Sequence, residues 1–168
     1  VISGYAELLE AEIQDRVIQP ERAAIADIVT EIVQTRSVLY STATIAVTID
    51  APELALRIDP VLLWMLLTNL IDNAIVHSNA DESTLSVTVT ELSNSREEIR
   101  FEIRDSNVPI PDQEVATLRA GEETPLQHGQ GIGLWIVYWC VRKIRGEITC
   151  AYEGGNVFDS VTNASSGR

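Results

Sequence analysis

The stretch Asp59-Pro60-Val61-Leu62-Leu63-Trp64-Met65-Leu66-Leu67-Thr68-Asn69-Leu70-Ile71-Asp72-Asn73-Ala74 decides the fold. Asp59 is a residue type that caps helix N-termini, and Pro60 occupies the one helical position that tolerates proline. The pattern predicts a helix to about His77. Leu62, Leu66, Leu70 and Ala74 form a continuous apolar row at i, i+4 spacing, the mark of a face buried in a core. Asn69 and Asn73, also four apart, share another side of the same helix. Taken alone, two helical asparagines are more often solvated than ligand-binding, so their meaning depends on the rest of the chain.

Before this helix, Val1 to about Gln14 has helical periodicity at Ile2, Tyr5, Leu8, Leu9 and Ile13. Pro20 is expected to open a second helix to about Tyr40, with Ala24, Ile25, Ile28, Ile32 and Val33 on its inner side. Thr44 to Asp50 alternates as a half-buried strand, and Leu54 to Ile58 reads as its short partner. After the asparagine helix, Leu85 to Thr90 and Ile99 to Arg104 alternate as strands around a polar turn, Ser93 to Glu97. Asp112 is placed to cap a short helix to Leu118, and Arg119 to Gly131 has the composition of a mobile lid. An amphipathic helix through Leu134, Val137, Tyr138, Val141 and Ile144 is expected to stop at Gly146. Strands at Glu147 to Tyr152 and Asn156 to Thr162 follow, joined at Gly154-Gly155. Helices and strands that do not alternate singly predict a two-layer α/β sandwich, with helices on one face of a mixed sheet. The expected division is a leading helix over residues 1–20, one domain over 21–163 and a tail over 164–168.

Charge narrows the partners. The 168 residues carry 25 acidic and 12 basic side chains, a formal net charge of −13, and Lys143 is the only lysine. Such a surface repels nucleic acid and anionic membranes. It suits a salt-rich cytoplasm, where screening shortens self-repulsion, and in this it resembles haloarchaeal proteins. Cys140 and Cys150 form neither a disulfide framework nor a metal-ligand spacing and read as buried free thiols of a reducing compartment. The longest apolar run, Val61 to Leu67, is far below the roughly 20 residues of a membrane span. The chain does not begin with Met, so a sensory or membrane-attached part upstream is compatible with it.

Three features point to phosphate chemistry. An asparagine oxygen is a hard neutral ligand for Mg²⁺, and its amide can orient phosphate. Asp105 closes a strand, where a carboxylate can accept from a purine amine, although such a residue more often only turns the chain. Gly129-Gln130-Gly131-Ile132-Gly133 opens a helix, where free N–H groups and the helix dipole favour an anion. It is neither a Walker A loop nor a dinucleotide fingerprint.

In this order, the three motifs resemble the GHKL family of ATPases and kinases. Asn69-Leu70-Ile71-Asp72-Asn73-Ala74 with His77-Ser78 looks like the asparagine box of histidine kinases. Gly129 to Leu134, continued by Trp135-Ile136-Val137, looks like their second glycine box, and Gly121 to Leu126 is similar to a haloarchaeal lid. Val1 to Tyr5 resembles the helix that follows the phosphoacceptor histidine. The resemblance spans about Ile25 to Phe158.

It implies ATP and Mg²⁺ as cofactors, with Asn73 as metal ligand and Asn69 on the phosphate side. Asp105 would read adenine, while His77, Gly129, Gly131, Gly133 and Leu134 would border the nucleotide. The implied reaction is γ-phosphoryl transfer to a histidine. The implied partners are a phosphoacceptor histidine domain and a response regulator receiver domain, in a cytoplasmic homodimer. ATPases of the family carry a Glu one turn before the metal Asn to activate water; Asn69 stands there instead, which favours a histidine kinase.

Some positions depart from the pattern. The first glycine box, Asp-x-Gly-x-Gly, reads Asp105-Ser106-Asn107-Val108-Pro109. Asn107 tolerates positive φ, whereas Pro109 has a fixed φ and no N–H, so a strained or rebuilt loop is expected. Val76 stands near the family's Lys or Arg, and Asn156 where a Ser or Thr often supports the adenine site. His77 and His128 are not placed as phosphoacceptors, and the second helix of a dimerising hairpin is missing. The alternative function is a degenerate, non-catalytic module that senses nucleotide or binds a partner.

Overall fold

A computed structural model describes residues 12, 13, 15–50, 53, 55–76, 83–93, 97–107, 109, 110 and 132–163. The expected short helix at Asp112, the lid, and the glycines at 129 and 131 lie outside the described residues, as do His77, His128 and most of the leading helix. In chain order the elements are β1 (Glu21–Ala24), α1 (Ile25–Leu39), β2 (Ala43–Ile49), β3 (Ala55–Ile58), α2 (Pro60–Val76), β4 (Ser83–Ser93), β5 (Glu97–Arg104), α3 (Ile132–Lys143), β6 (Glu147–Tyr152) and β7 (Asn156–Asn163).

Five strands form one mixed sheet in the order β2-β4-β5-β7-β6. β2 pairs parallel to β4, and every other pairing in the sheet is antiparallel. Alternation sends Leu85, Val87 and Val89 of β4, Ile99, Phe101 and Ile103 of β5, and Phe158 of β7 to the buried face. The register sets Val87 against Ile103 and Ile103 against Phe158, so one hydrophobic row crosses three strands. The other face is polar, with Arg100 on Asp159 at 3.2 Å and Arg104 between Glu102 and Glu153 at 3.3 and 3.0 Å. The helices cover the apolar face, completing the expected two-layer sandwich. α2 buries Leu62, Leu63, Leu66, Leu67, Leu70, Ile71 and Ala74, and α3 packs on it with Ile136, Val137, Trp139, Cys140 and Val141.

Two expectations fail at the N-terminal side. Pro20 does not open a helix: Glu21–Ala24 is a strand, and α1 starts at Ile25 without a side-chain cap. The four residues favour helix by propensity, but pairing with β3 overrides them, Glu21 opposite Ile58 and Ala24 opposite Ala55. For the same reason β3 does not pair with β2; it forms a separate two-stranded sheet with β1.

The C-terminus of α3 also differs in detail. Gly146 was the expected stop, but the left-handed residue is Arg145, at φ 57°. The Gly146 N–H reaches back to the Val141 carbonyl at 2.9 Å and that of Arg145 to Arg142 at 3.1 Å, closing the helix one residue early.

Candidate functional site

The asparagine helix is fixed at its start by Asp59, whose carboxylate is buried. Asp59 Oδ1 accepts from the Val61 N–H at 3.0 Å, the expected N-cap bond. It does more than cap. Arg16 grips it through Nε to Oδ2 at 2.9 Å and Nη2 to Oδ1 at 3.0 Å, and the Gln19 N–H donates to Oδ2 at 3.0 Å. Burial works against the ionised carboxylate, but the Arg16 and backbone hydrogen bonds prevail and hold its pKa below the ordinary value. The segment before the domain is thus bolted to the first turn of α2. A neighbouring residue, Ile13, is buried in the same core. Sequence reading found the cap and missed the arginine, since nothing local signals a partner 43 residues away.

Further along α2, Asp72 faces α1, where Arg36 Nε lies 3.3 Å from its Oδ1. Neither atom has an aligned hydrogen-bond partner among the described residues, so the contact is an ion pair of poor geometry. Burial raises the Asp72 pKa, and Arg36 only partly opposes it. Asn69 and Asn73 are both half-buried. Asn69 Nδ2 donates to the Met65 carbonyl one turn back at 2.7 Å, which fixes the amide and leaves it one further N–H and its oxygen.

Asp105 lies just past the end of β5 and is the hub of a hydrogen-bonded cluster. Its Oδ1 accepts from the Asn156 N–H at 2.8 Å, the Asn107 N–H at 3.0 Å and Asn156 Nδ2 at 3.2 Å. Among the described residues Oδ2 has only a 3.4 Å approach to that same Nδ2, which leaves it acceptor capacity. The backbones are tied as well, Asp105 N–H to the Asn156 carbonyl at 3.0 Å. Asn156 Oδ1 accepts from the Ile110 N–H at 3.1 Å, so this one buried asparagine clamps both ends of the loop. Gly155 is required beside it: a Cβ there would sit 1.8 Å from the Asp105 carbonyl oxygen.

This network corrects the expectation of strain. Among the described residues only Arg145 and Gly154 have positive φ, so neither Asn107 nor Pro109 adopts the glycine conformation. The loop uses the N–H groups of Asn107 and Ile110, on either side of Pro109, and asks none of the proline. Asn107 also donates Nδ2 to the Ala74 carbonyl at 2.7 Å, joining the Asp105 loop to α2 one residue beyond Asn73.

The structure therefore links three of the expected site positions, Asn69, Asn73 and Asp105, through α2 and the Asn107 bridge. Gly133 and Leu134 fall in the first turn of α3, the helix packed on α2. Val76 ends α2 and is 65% exposed, so no cation marks that position. No cluster of three or more His, Cys, Asp or Glu suited to a metal occurs among the described residues.

An asparagine-bearing helix and a clamped strand-end aspartate, on a mixed five-stranded sheet covered by helices on one face, define a two-layer α/β sandwich with a polar cluster at the end of β5. Residues 58–164 match the family described as histidine kinase-, DNA gyrase B-, and HSP90-like ATPase, and the chain belongs to it. Among curated relatives, the signal transduction histidine-protein kinase BarA of Escherichia coli K12 is 27% identical over 136 residues, 77% of this chain and 15% of BarA. The sensor histidine kinase GlrK of the same organism is 25% identical over 147 residues, 84% of this chain and 30% of GlrK. The chain thus spans less than a third of these relatives. The fold is that of histidine kinase catalytic domains. The catalytic domain of the kinase ThkA superposes with a TM-score of 0.71 at 19% identity, over 87% of this chain and 96% of ThkA's. Full-length ShkA, solved in complex with AMPPNP, gives 0.78 at 19% identity over 96% of this chain and 35% of its own.

Proposed function

We propose that this domain binds ATP with Mg²⁺ and transfers the γ-phosphoryl group to a histidine carried by a separate phosphoacceptor domain. The observation that carries the reading is the free Oδ2 of Asp105, on a carboxylate otherwise fully held and joined by Asn107 to the helix bearing Asn69 and Asn73. In this reading Oδ2 accepts from the exocyclic amine of adenine. The remaining N–H of Asn69 steadies the phosphate side, and the oxygen of Asn73 is the metal ligand. The α3 N-terminus, with Gly133 in its first turn and Gly129 and Gly131 preceding it in the sequence, would offer backbone N–H groups to the phosphates, where the dipole favours negative charge. Bound Mg²⁺ supplies charge neutralisation; the chain's own part is to hold base and phosphates in place, which is most of phosphoryl-transfer catalysis. Asn69, in place of a general base, fits an imidazole acceptor that needs little deprotonation near neutral pH.

ShkA's complex with an ATP analogue supports the nucleotide assignment by likeness of fold. The partners that follow are the acceptor hairpin, a receiver domain and, for the whole protein, a second copy, in the cytoplasm. Among the described residues no helix is long and apolar enough to cross a membrane.

The test is calorimetric titration of ATP with Mg²⁺ and with chelator, on wild type and Asn73→Ala. The variant loses a charge-assisted contact worth roughly 1.5–3 kcal/mol, about 10- to 150-fold in affinity. A folded Asn73→Ala protein with unchanged Mg-ATP affinity refutes the assignment. Tight binding without transfer to a matched acceptor hairpin identifies the non-catalytic nucleotide sensor instead.

A further inference from the structure

We propose that Asn107 is a positioning residue for base recognition, a strut between α2 and Asp105 that does work the family's glycine cannot do. The inference rests on the reading of Asp105 as the adenine acceptor and adds to it a determinant specific to this chain.

The argument starts at the end of α2. A helix leaves its last four carbonyls without intrahelical donors. α2 ends at Val76, so the Ala74 carbonyl is one of these, and Asn107 Nδ2 meets it at 2.7 Å. That bond fixes the Asn107 backbone, whose N–H donates to Asp105 Oδ1 at 3.0 Å. Ala74, Asn107 and Asp105 form a continuous chain of two hydrogen bonds from the metal-side helix to the base-side carboxylate.

Its consequence is asymmetry at Asp105. Asn156 Nδ2 lies nearly equidistant from the two carboxylate oxygens, 3.2 Å from Oδ1 and 3.4 Å from Oδ2. Of the Asn156 donors, the N–H holds Oδ1 at 2.8 Å while Nδ2 can go to either oxygen, so with Asn156 alone a small rotation hands Nδ2 to Oδ2 and Oδ2 loses acceptor capacity. The Asn107 N–H adds a donor on the Oδ1 side and holds Oδ2 turned out. A glycine at 107 keeps the N–H but has no side chain to anchor it to α2. Asn107 sets how well the site distinguishes a purine that offers a 6-amino donor from one that does not.

The experiment compares Mg-ATP with the Mg complex of purine riboside 5′-triphosphate, which lacks the 6-amino group, by calorimetry on wild type, Asn107→Ala and Asn107→Asp. The aspartate keeps the side chain's shape and removes the donor to Ala74, and it serves as the test where the alanine variant does not fold. Wild type is expected to prefer ATP by about tenfold or more, the worth of one hydrogen bond to a charged acceptor. Both variants are expected to reduce that preference to threefold or less (roughly RT ln 3) by weakening ATP and sparing the analogue. A merely structural Asn107 would weaken both nucleotides alike and leave the preference intact; that result overturns the proposal. A wild-type protein with no preference for ATP overturns instead the adenine reading of Asp105 on which it rests.

Discussion

Removing Arg16 isolates a buried carboxylate at the root of the asparagine helix, and the cost follows from its four hydrogen bonds. Asp59 is 1% exposed and the Arg16 side chain 27%, so the pair is desolvated mainly on the acidic side. Deleting one partner of a buried pair costs about 3–5 kcal/mol, chiefly because the other charge is left uncompensated. After Arg16→Ala, Asp59 keeps the N–H groups of Val61 and Gln19 and the positive end of α2, which places the cost near the lower bound, about 3 kcal/mol. Asp59→Ala also removes the N-cap, worth about 1 kcal/mol, and strands the Gln19 N–H, so it should cost about 4–5 kcal/mol. At about 2–4 °C per kcal/mol for a chain this long, Arg16→Ala should melt about 6–12 °C below wild type.

The pH dependence has a definite sign. The folded-state pKa of Asp59 lies below its ordinary 3.8, so this stabilisation is fully present above pH 3.8 and is lost as pH falls through the lower, folded value. Chemical denaturation of the two single variants and the double, at neutral pH and in acid, measures the coupling. Additive single-variant effects at neutral pH, or an Arg16→Ala midpoint within a degree of wild type, would refute the reasoning.

Other outcomes are as specific. Gly155→Ala places a Cβ against the Asp105 carbonyl, so the Asp105–Asn156 cluster must shift; ATP affinity should fall at least tenfold, by calorimetry, in a protein that still folds. Burial, with a smaller contribution from Asp59, pushes the Cys140 thiol up to about 12, so Cys140 should resist alkylation at pH 8 in the native protein and react once it is unfolded. With a net charge of −13, the melting temperature should rise steeply from 0.01 M to 1 M salt as the screening length drops from about 30 Å to about 3 Å. A flat salt profile by scanning calorimetry would overturn the reading of this charge as an adaptation to high salt.

The core helices and most strands were legible because their signals are local. The row Leu62, Leu66, Leu70, Ala74 and the alternation through Phe101 announce their own burial, and both appear as expected. What failed depends on contacts between distant segments. Glu21–Ala24 looks helical until its hydrogen-bond partner, β3, is known. Arg16 is an unremarkable charge until Asp59 is found beside it. The Asp105 loop shows the same limit within the site. Matched to the glycine pattern, Asn107 and Pro109 read as damage, because a motif records the backbone solution of other chains. Here the solution uses side chains, Asn107 on Ala74 and Asn156 on Asp105 and Ile110, and the order is restored without glycine.

The distribution of cations adds a constraint on the proposed chemistry. Arg16 is committed to Asp59, Arg36 to Asp72, Arg100 to Asp159, and Arg104 to Glu102 and Glu153. α2 carries no Lys or Arg along its length, and its only charge, Asp72, is an acid beside Asn73. A triphosphate docked there meets a neutral asparagine face next to a carboxylate, in a chain that already bears a net −13. No side-chain cation of α2 can attract it, so in the proposed reading backbone N–H groups at the start of α3 and a divalent cation take a share of that task. A family member with Lys or Arg at the position of Val76 divides that task between protein and metal. If the proposed site is right, α2 leaves that task to backbone N–H groups, to cations elsewhere in the chain and to a metal, so the chelator arm of the ATP titration is the measurement that separates nucleotide binding by charge from nucleotide binding by shape.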